Sequence, residues 1–219
     1  MKKTSVMASV LTAAMLLSLS GCKVHITDTA TSGTSGTSET TFVALTDNMC
    51  GNYLSGYKTF EVTSESLKDG IWDDIISNTD IGENQSPQLS WEPIEGAAEY
   101  AVYMVDTNTN GYLHWKSGGI TVTELPQGWA PQLTEYNGPH IGHGYTHNFE
   151  IYVIALKAPS QRLKGTVNGQ NKKLGEFIME LDTDKDGNTG NIISYGKISG
   201  SYTDSRFRDG KTPESTPVM

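Results

Sequence analysis

One aspartate and two histidines stand where apolar strands ought to be filling a core. Asp106 closes the run Tyr100-Ala-Val-Tyr-Met-Val. His114 arrives with Trp115 inside the next apolar run, and His147 opens a third that extends to Leu156. A carboxylate can orient an imidazole, and imidazole N–H groups can donate to a phosphate or a carboxylate. If the three strand ends converge, these residues make a small polar pocket in apolar walls. Taken singly, His114 suits a hydrogen-bonded core histidine equally well. His140, His143 and His147 follow at a spacing that could suit zinc or copper. That segment is rich in Gly and Pro, non-helical and without cysteine.

A second cluster lies at Asp182, Asp184, Asp186 and Asn188, with Gly187 between the last two. It has the oxygen ligands and glycine of the first half of a calcium loop, but Ile193 stands where a bidentate glutamate would close it. The same residues favour a plain Asx-rich turn. Calcium at these four residues is therefore one expectation and a turn is the other; no cofactor is required. No G-x-S-x-G motif and no cysteine beside a histidine supplies a nucleophile, so a non-enzymatic protein is expected.

The elements that must position these groups are mostly strands. Tyr57–Ser64 alternates apolar and polar residues. Gln88–Trp91 is a short strand, and Tyr100–Asp106 is apolar on both faces, as a central strand should be. Tyr112–Thr121, His147–Lys157 and Gly196–Tyr202 complete the set. In Lys172–Leu181, Leu174, Phe177, Ile178 and Leu181 recur at helical spacing. Many strands followed by one late helix predict a mainly β fold, an antiparallel β sandwich with peripheral helices, over residues 56–204.

Residues 1–21 combine a basic start at Lys2 and Lys3 with a short apolar stretch, the pattern of an export signal. Leu19-Ser20-Gly21-Cys22 resembles the bacterial lipoprotein box, which implies cleavage before Cys22 and a lipid on its thiol. Cys50 would then have no partner within the chain. Residues 22–42, rich in Thr, Ser and Gly, read as a flexible tether with a span of roughly 25 Å. Residues 205–219 read as a disordered tail. Removing 1–21 takes the net charge from −9 to −11, since Lys2 and Lys3 leave and no acid does. So acidic a chain fits nucleic acid poorly. It is expected to be exported and lipid-anchored to a bacterial membrane or envelope.

Several motifs, in order, resemble those of the phosphatidylethanolamine-binding proteins, also called Raf-kinase-inhibitor-like proteins. Asn84-Gln-Ser86-Pro87-Gln-Leu89-Ser-Trp91 is similar to that family's N-x-S-P-x-L-x-W signature. Tyr100–Asp106 resembles the strand that carries its pocket aspartate, and His114-Trp115 its H-W pair. Tyr136-Asn-Gly138-Pro139 is similar to its Y-x-G-P loop, and His147–Leu156 to its histidine-bearing strand. The resemblance implies a β sandwich with a small anion pocket formed by Asp106, His114 and His147 and rimmed by Gly138 and Pro139. It implies a phosphate- or carboxylate-headed ligand and no catalysis. Inhibition of a protein partner through surface loops is the alternative. Three departures stand out: Thr107–Asn110 replaces a second acid and proline, His140-Ile141 replaces a double proline, and Phe149 replaces a tyrosine. With both imidazoles charging near a reference pKa of about 6.5, anion binding is expected to strengthen between about pH 8 and 6.

Overall fold

The computed structural model describes residues 53–142 and 144–208. The export signal with Cys22, the tether, Cys50, His143 and the end of the tail lie outside the described residues. The strands are β1 (Lys58–Phe60), β2 (Val62–Thr63), β3 (Leu67–Lys68), β4 (Ile71–Trp72), β5 (Leu89–Trp91) and β6 (Glu99–Asp106). They continue as β7 (Tyr112–Ile120), β8 (Glu124–Leu125), β9 (His147–Leu156), β10 (Gly169–Gln170) and β11 (Ile192–Tyr202). The helix α1 spans Leu174–Met179 and runs into a 3-10 turn at Glu180–Asp182.

The large sheet runs β10-β7-β6-β9-β11-β4-β3, and β1 also pairs with β11; the small sheet is β2-β5-β8. Every residue of β6 is buried. Its even-numbered residues Val102 and Met104 meet Phe149, Ile151 and Val153 of β9 and, from the small sheet, Leu89, Trp91 and Leu125. Its odd residues Ala101, Tyr103 and Val105 pack with Tyr152, Ile154, Leu174 and Ile178. The result is three layers, small sheet on large sheet on helix, and it explains why β6 shows no polar face.

Three expectations need correction. The sheet is mixed rather than antiparallel, because β1 and β4 run parallel to β11. β11 is long and gives one edge to β9 over Ile192–Tyr202. Two early segments align in succession along its other edge. The expected strand Tyr57–Ser64 also breaks at Glu61, with β1 joining the large sheet and β2 the small one. The domain is wider than residues 56–204. Leu54 is fully buried beneath the helical layer. At the other end Arg206 donates to Asp80 through both terminal nitrogens, at 2.6 and 2.7 Å, and Arg208 donates to Asp74 at 3.1 Å. Ordered ion pairs of this kind hold residues 205–208 against the fold, so the expected tail begins too early.

Candidate functional site

Asp106 and His147 occupy the ends of the inter-sheet faces of β6 and β9. Along β6 that face reads Val102, Met104, Asp106; along β9 it reads Ile151, Phe149, His147. Asp106 is the register partner of Phe149, so His147, two residues earlier on the same face, is its diagonal neighbour. The His147 Nδ1–H donates to Asp106 Oδ2 at 2.6 Å. Asp106 is only 3% exposed, and its remaining lone pairs are used locally. Oδ1 accepts from the N–H groups of Asn108 and Thr109 at 2.8 and 3.2 Å, and Oδ2 from the Thr109 hydroxyl at 3.0 Å. A buried carboxylate with four donors is satisfied. The same bonds close the turn from β6 to β7.

His114 reaches the site through a β-bulge. Met104 pairs with Trp115 and Val105 with Leu113, so His114 is an extra residue in β7 with no partner in β6. The bulge turns Leu113 toward the helical layer and Trp115 toward the small sheet, although they are two residues apart. It frees the backbone carbonyl of His114 to accept from Asn137 N–H at 2.8 Å. In return the His114 Nδ1–H donates to the Asn137 carbonyl at 2.7 Å. This is a bulge re-aiming a side chain beside a site.

The loop that offers that carbonyl is locked from behind by the first signature. Asn84, in the left-handed region at φ 54°, accepts from Gly138 N–H through Oδ1 at 2.7 Å. Asn78 N–H donates to the Pro139 carbonyl at 2.9 Å, and the Asn78 side chain donates to Asn137 Oδ1 at 2.9 Å. Tyr136 OH donates to the Ile76 carbonyl at 2.7 Å. A Cβ on Gly138 would lie 1.9 Å from that same Ile76 oxygen, so only glycine fits.

The cavity is about 180 Å³ and is lined by Asp106, Thr109, Tyr112, His114, His140, Ile141 and His147. It thus brings together the three residues expected from the sequence. Gly138 and Pro139 are buried behind it instead of forming its rim. Their contribution is the carbonyl of Gly138, which accepts from His140 Nδ1–H at 3.0 Å. Tyr112 and His140 also line the cavity, which the motifs do not indicate. Tyr112 stands two residues before His114, a same-side spacing that could have pointed to it. Its hydroxyl is 2.8 Å from Asn168 Oδ1 and 3.3 Å from His140 Nε2. The rings of Tyr112 and His140 lie 5.1 and 5.8 Å from that of His114.

Burial lowers the pKa of His114 to about 4, against the smaller opposing pull of the Asn137 carbonyl and Asp106. The expectation that both pocket imidazoles charge near 6.5 is therefore corrected for His114. Its ring is neutral at pH 7, and with Nδ1–H committed to a carbonyl its Nε2 is an acceptor. Asp106 also orients His147, while a backbone carbonyl orients His114.

In the acidic loop, Asp184 Oδ1 accepts from the N–H groups of Asp186 and Asn188, both at 2.8 Å, and Oδ2 accepts from the Asn188 amide at 2.9 Å. Asp182 accepts from Ile192 N–H and Gly190 N–H at 3.0 and 3.2 Å. The Asn188 amide is the largest influence holding the Asp184 carboxyl below its usual pKa. Among the described residues no group of three or more His, Cys, Asp or Glu is arranged to hold a metal ion.

No protein-family model and no curated protein sequence matches the chain. Among solved structures, Escherichia coli YbcL, described as a new member of the mammalian PEBP family, superposes with a TM-score of 0.50. The identity is 22%, over 66% of this chain and 98% of that one. A Chlamydia trachomatis protein described as a phosphatidylethanolamine-binding protein homolog gives a TM-score of 0.48 and 18% identity, over 67% and 99%. The likeness to YbcL is one of fold: the chain has a PEBP-like fold.

Proposed function

We propose that the chain is an exported member of the phosphatidylethanolamine-binding protein family. In this reading its cavity binds the phosphate or carboxylate head of a small ligand without chemical turnover. The observation that carries the reading is the convergence of Asp106, His114 and His147 on one cavity of about 180 Å³, a size that suits a head group and not a whole lipid. The ordered motifs and the fold support it. The non-enzymatic character rests on the family resemblance and on the sequence, which carries no G-x-S-x-G motif and no cysteine beside a histidine. Titration of inorganic phosphate, phosphoethanolamine and acetate tests the reading. Wild type should bind at least one of them, and His114→Ala should weaken that binding at least tenfold. Equal binding by the variant, or none by wild type, overturns it.

The same proposal places a lipid on Cys22, supported by the Leu19-Ser20-Gly21-Cys22 box. A fatty-acid analogue fed to the producing cells should label wild type and not Cys22→Ala. A second reading, loop-mediated inhibition of a protein, is favoured by Leu133, which is 71% exposed and held at φ 66°. An inhibition lost in Leu133→Ala and kept in His114→Ala would move the function from the cavity to that loop.

A further inference from the structure

Three imidazoles line the cavity, and each spends its Nδ1–H on the protein: His114 on the Asn137 carbonyl, His140 on the Gly138 carbonyl, His147 on Asp106. A neutral imidazole has one N–H. In their neutral forms all three rings therefore have Nε2 without a proton, and that of His140 already faces the Tyr112 hydroxyl at 3.3 Å. No Lys or Arg is among the described lining residues, and the carboxylate is Asp106. An oxyanion entering this arrangement meets lone pairs and a negative charge. The hydroxyls of Thr109 and Tyr112 already meet protein acceptors, so the neutral site has no donor to spare among the described lining residues, and a proton delivered to one ring creates one.

Of the three rings, His147 is the one facing a carboxylate. His114 is 2% exposed and its Nδ1 partner is a neutral carbonyl, so burial disfavours its charged form more than the weaker pull of Asp106 favours it. His140 is exposed but faces a carbonyl and not an anion, and its ring stacks edge-on against Tyr112 and His114. The side chain of His147 is 25% exposed and its ring nitrogen is 2.6 Å from Asp106 Oδ2. From β11 its register partner is Tyr202, and the guanidinium over that ring, Arg208, is already paired with Asp74. An imidazolium here has Asp106 on one nitrogen and gives its new Nε2–H to the cavity.

We propose that oxyanion binding at this site is coupled to uptake of one proton from solvent by His147, with Asp106 holding the resulting imidazolium and His114 staying neutral. This inference rests on the oxyanion reading of the cavity. The balance is simple: protein, anion and one proton enter, and no bond to the anion is made or broken.

The probe is inorganic sulfate, which carries no proton of its own above pH 5, titrated calorimetrically into the intact chain between pH 5 and 8 in buffers of different ionisation enthalpy. The expected result is uptake approaching one proton per sulfate at the alkaline end. Affinity should fall there by up to tenfold per pH unit. His147→Gln should bind more weakly and lose that slope. Nitrogen NMR of the histidines should show His147 passing to the doubly protonated form as sulfate is added, with His114 Nε2 unprotonated. Sulfate binding without proton uptake or pH slope overturns the inference and leaves the oxyanion reading standing, and so does a proton that lands on His114 or His140. No sulfate binding at any pH in the range overturns both.

Discussion

Asp106 and Asp184 are nearly buried carboxylates, 3% and 7% exposed, each at the start of a turn and each accepting the N–H two residues on at 2.8 Å. They differ in where the remaining bonds go. Asp184 is saturated by residues within four positions of itself. Asp106 shares one oxygen between Thr109 and His147, the latter 41 residues away. Its neighbours are tied just as remotely: His114 to Asn137 at a separation of 23, and Gly138 to Asn84 at 54. A locally saturated carboxylate makes a turn and has little left for a ligand. One shared with a distant imidazole makes a turn and also fixes a ring that can meet a ligand. In both cases an aspartate precedes polar turn-forming residues, and only the partners separate them.

The sharpest way to break this contrast uses the glycine of each region. Gly138→Ala would place Cβ 1.9 Å from the Ile76 carbonyl, forcing the loop to move and costing about 3 kcal/mol by urea unfolding. It should also weaken oxyanion binding, since the Asn137 and Gly138 carbonyls move with the loop. Gly187→Ala meets no atom within 4 Å but sits at φ 89°, so it should cost only the left-handed strain of about 1–2 kcal/mol and leave the cavity intact. Equal costs would show that the close approach behind the site is not what demands glycine.

His114 sharpens the comparison through pH. Its folded pKa of about 4 lies below the unfolded reference of 6.5. The unfolded chain thus takes up a proton that the native state refuses. The contribution is fully present above about pH 6.5 and is lost as pH falls toward 4, on the order of 3 kcal/mol in all. Unfolding of wild type and His114→Gln at pH 7, 5.5 and 4 should show the gap between them shrinking by that amount. A constant gap means the ring is not held neutral.

The smallest effect is expected at the acidic loop. With both oxygens of Asp184 accepting from its own turn, millimolar calcium should leave the thermal midpoint of wild type unmoved, while Asp184→Ala lowers that midpoint with and without the ion. A calcium-dependent rise that vanishes in Asp184→Ala would restore the cation site and erase the distinction between the two carboxylates.

Much of this architecture is legible in the chain by itself. Apolar periodicity is a local property, so the central position of β6, the run of β9 and the amphipathic spacing of Leu174, Ile178 and Leu181 can be read directly. Asp106, His114 and His147 stand out because each interrupts such a pattern. What only the tertiary structure decides is everything that depends on register and on distant partners. A period of two assigns faces but cannot reveal a bulge, and the bulge at His114 arises from the pairing of β7 with β6. The parallel pairing of β1 and β4 with β11 brings together residues 136 and 130 positions apart in sequence, Lys58 with Ser194 and Ile71 with Ser201. Arg206 and Arg208 look like a charged tail until Asp80 and Asp74 are found beside them. The state of His114 is the clearest case. Its type suggests a group that charges near neutrality, yet enclosure by neighbours from four segments of the chain removes it from water, and a buried charge without a counter-ion is too costly to keep.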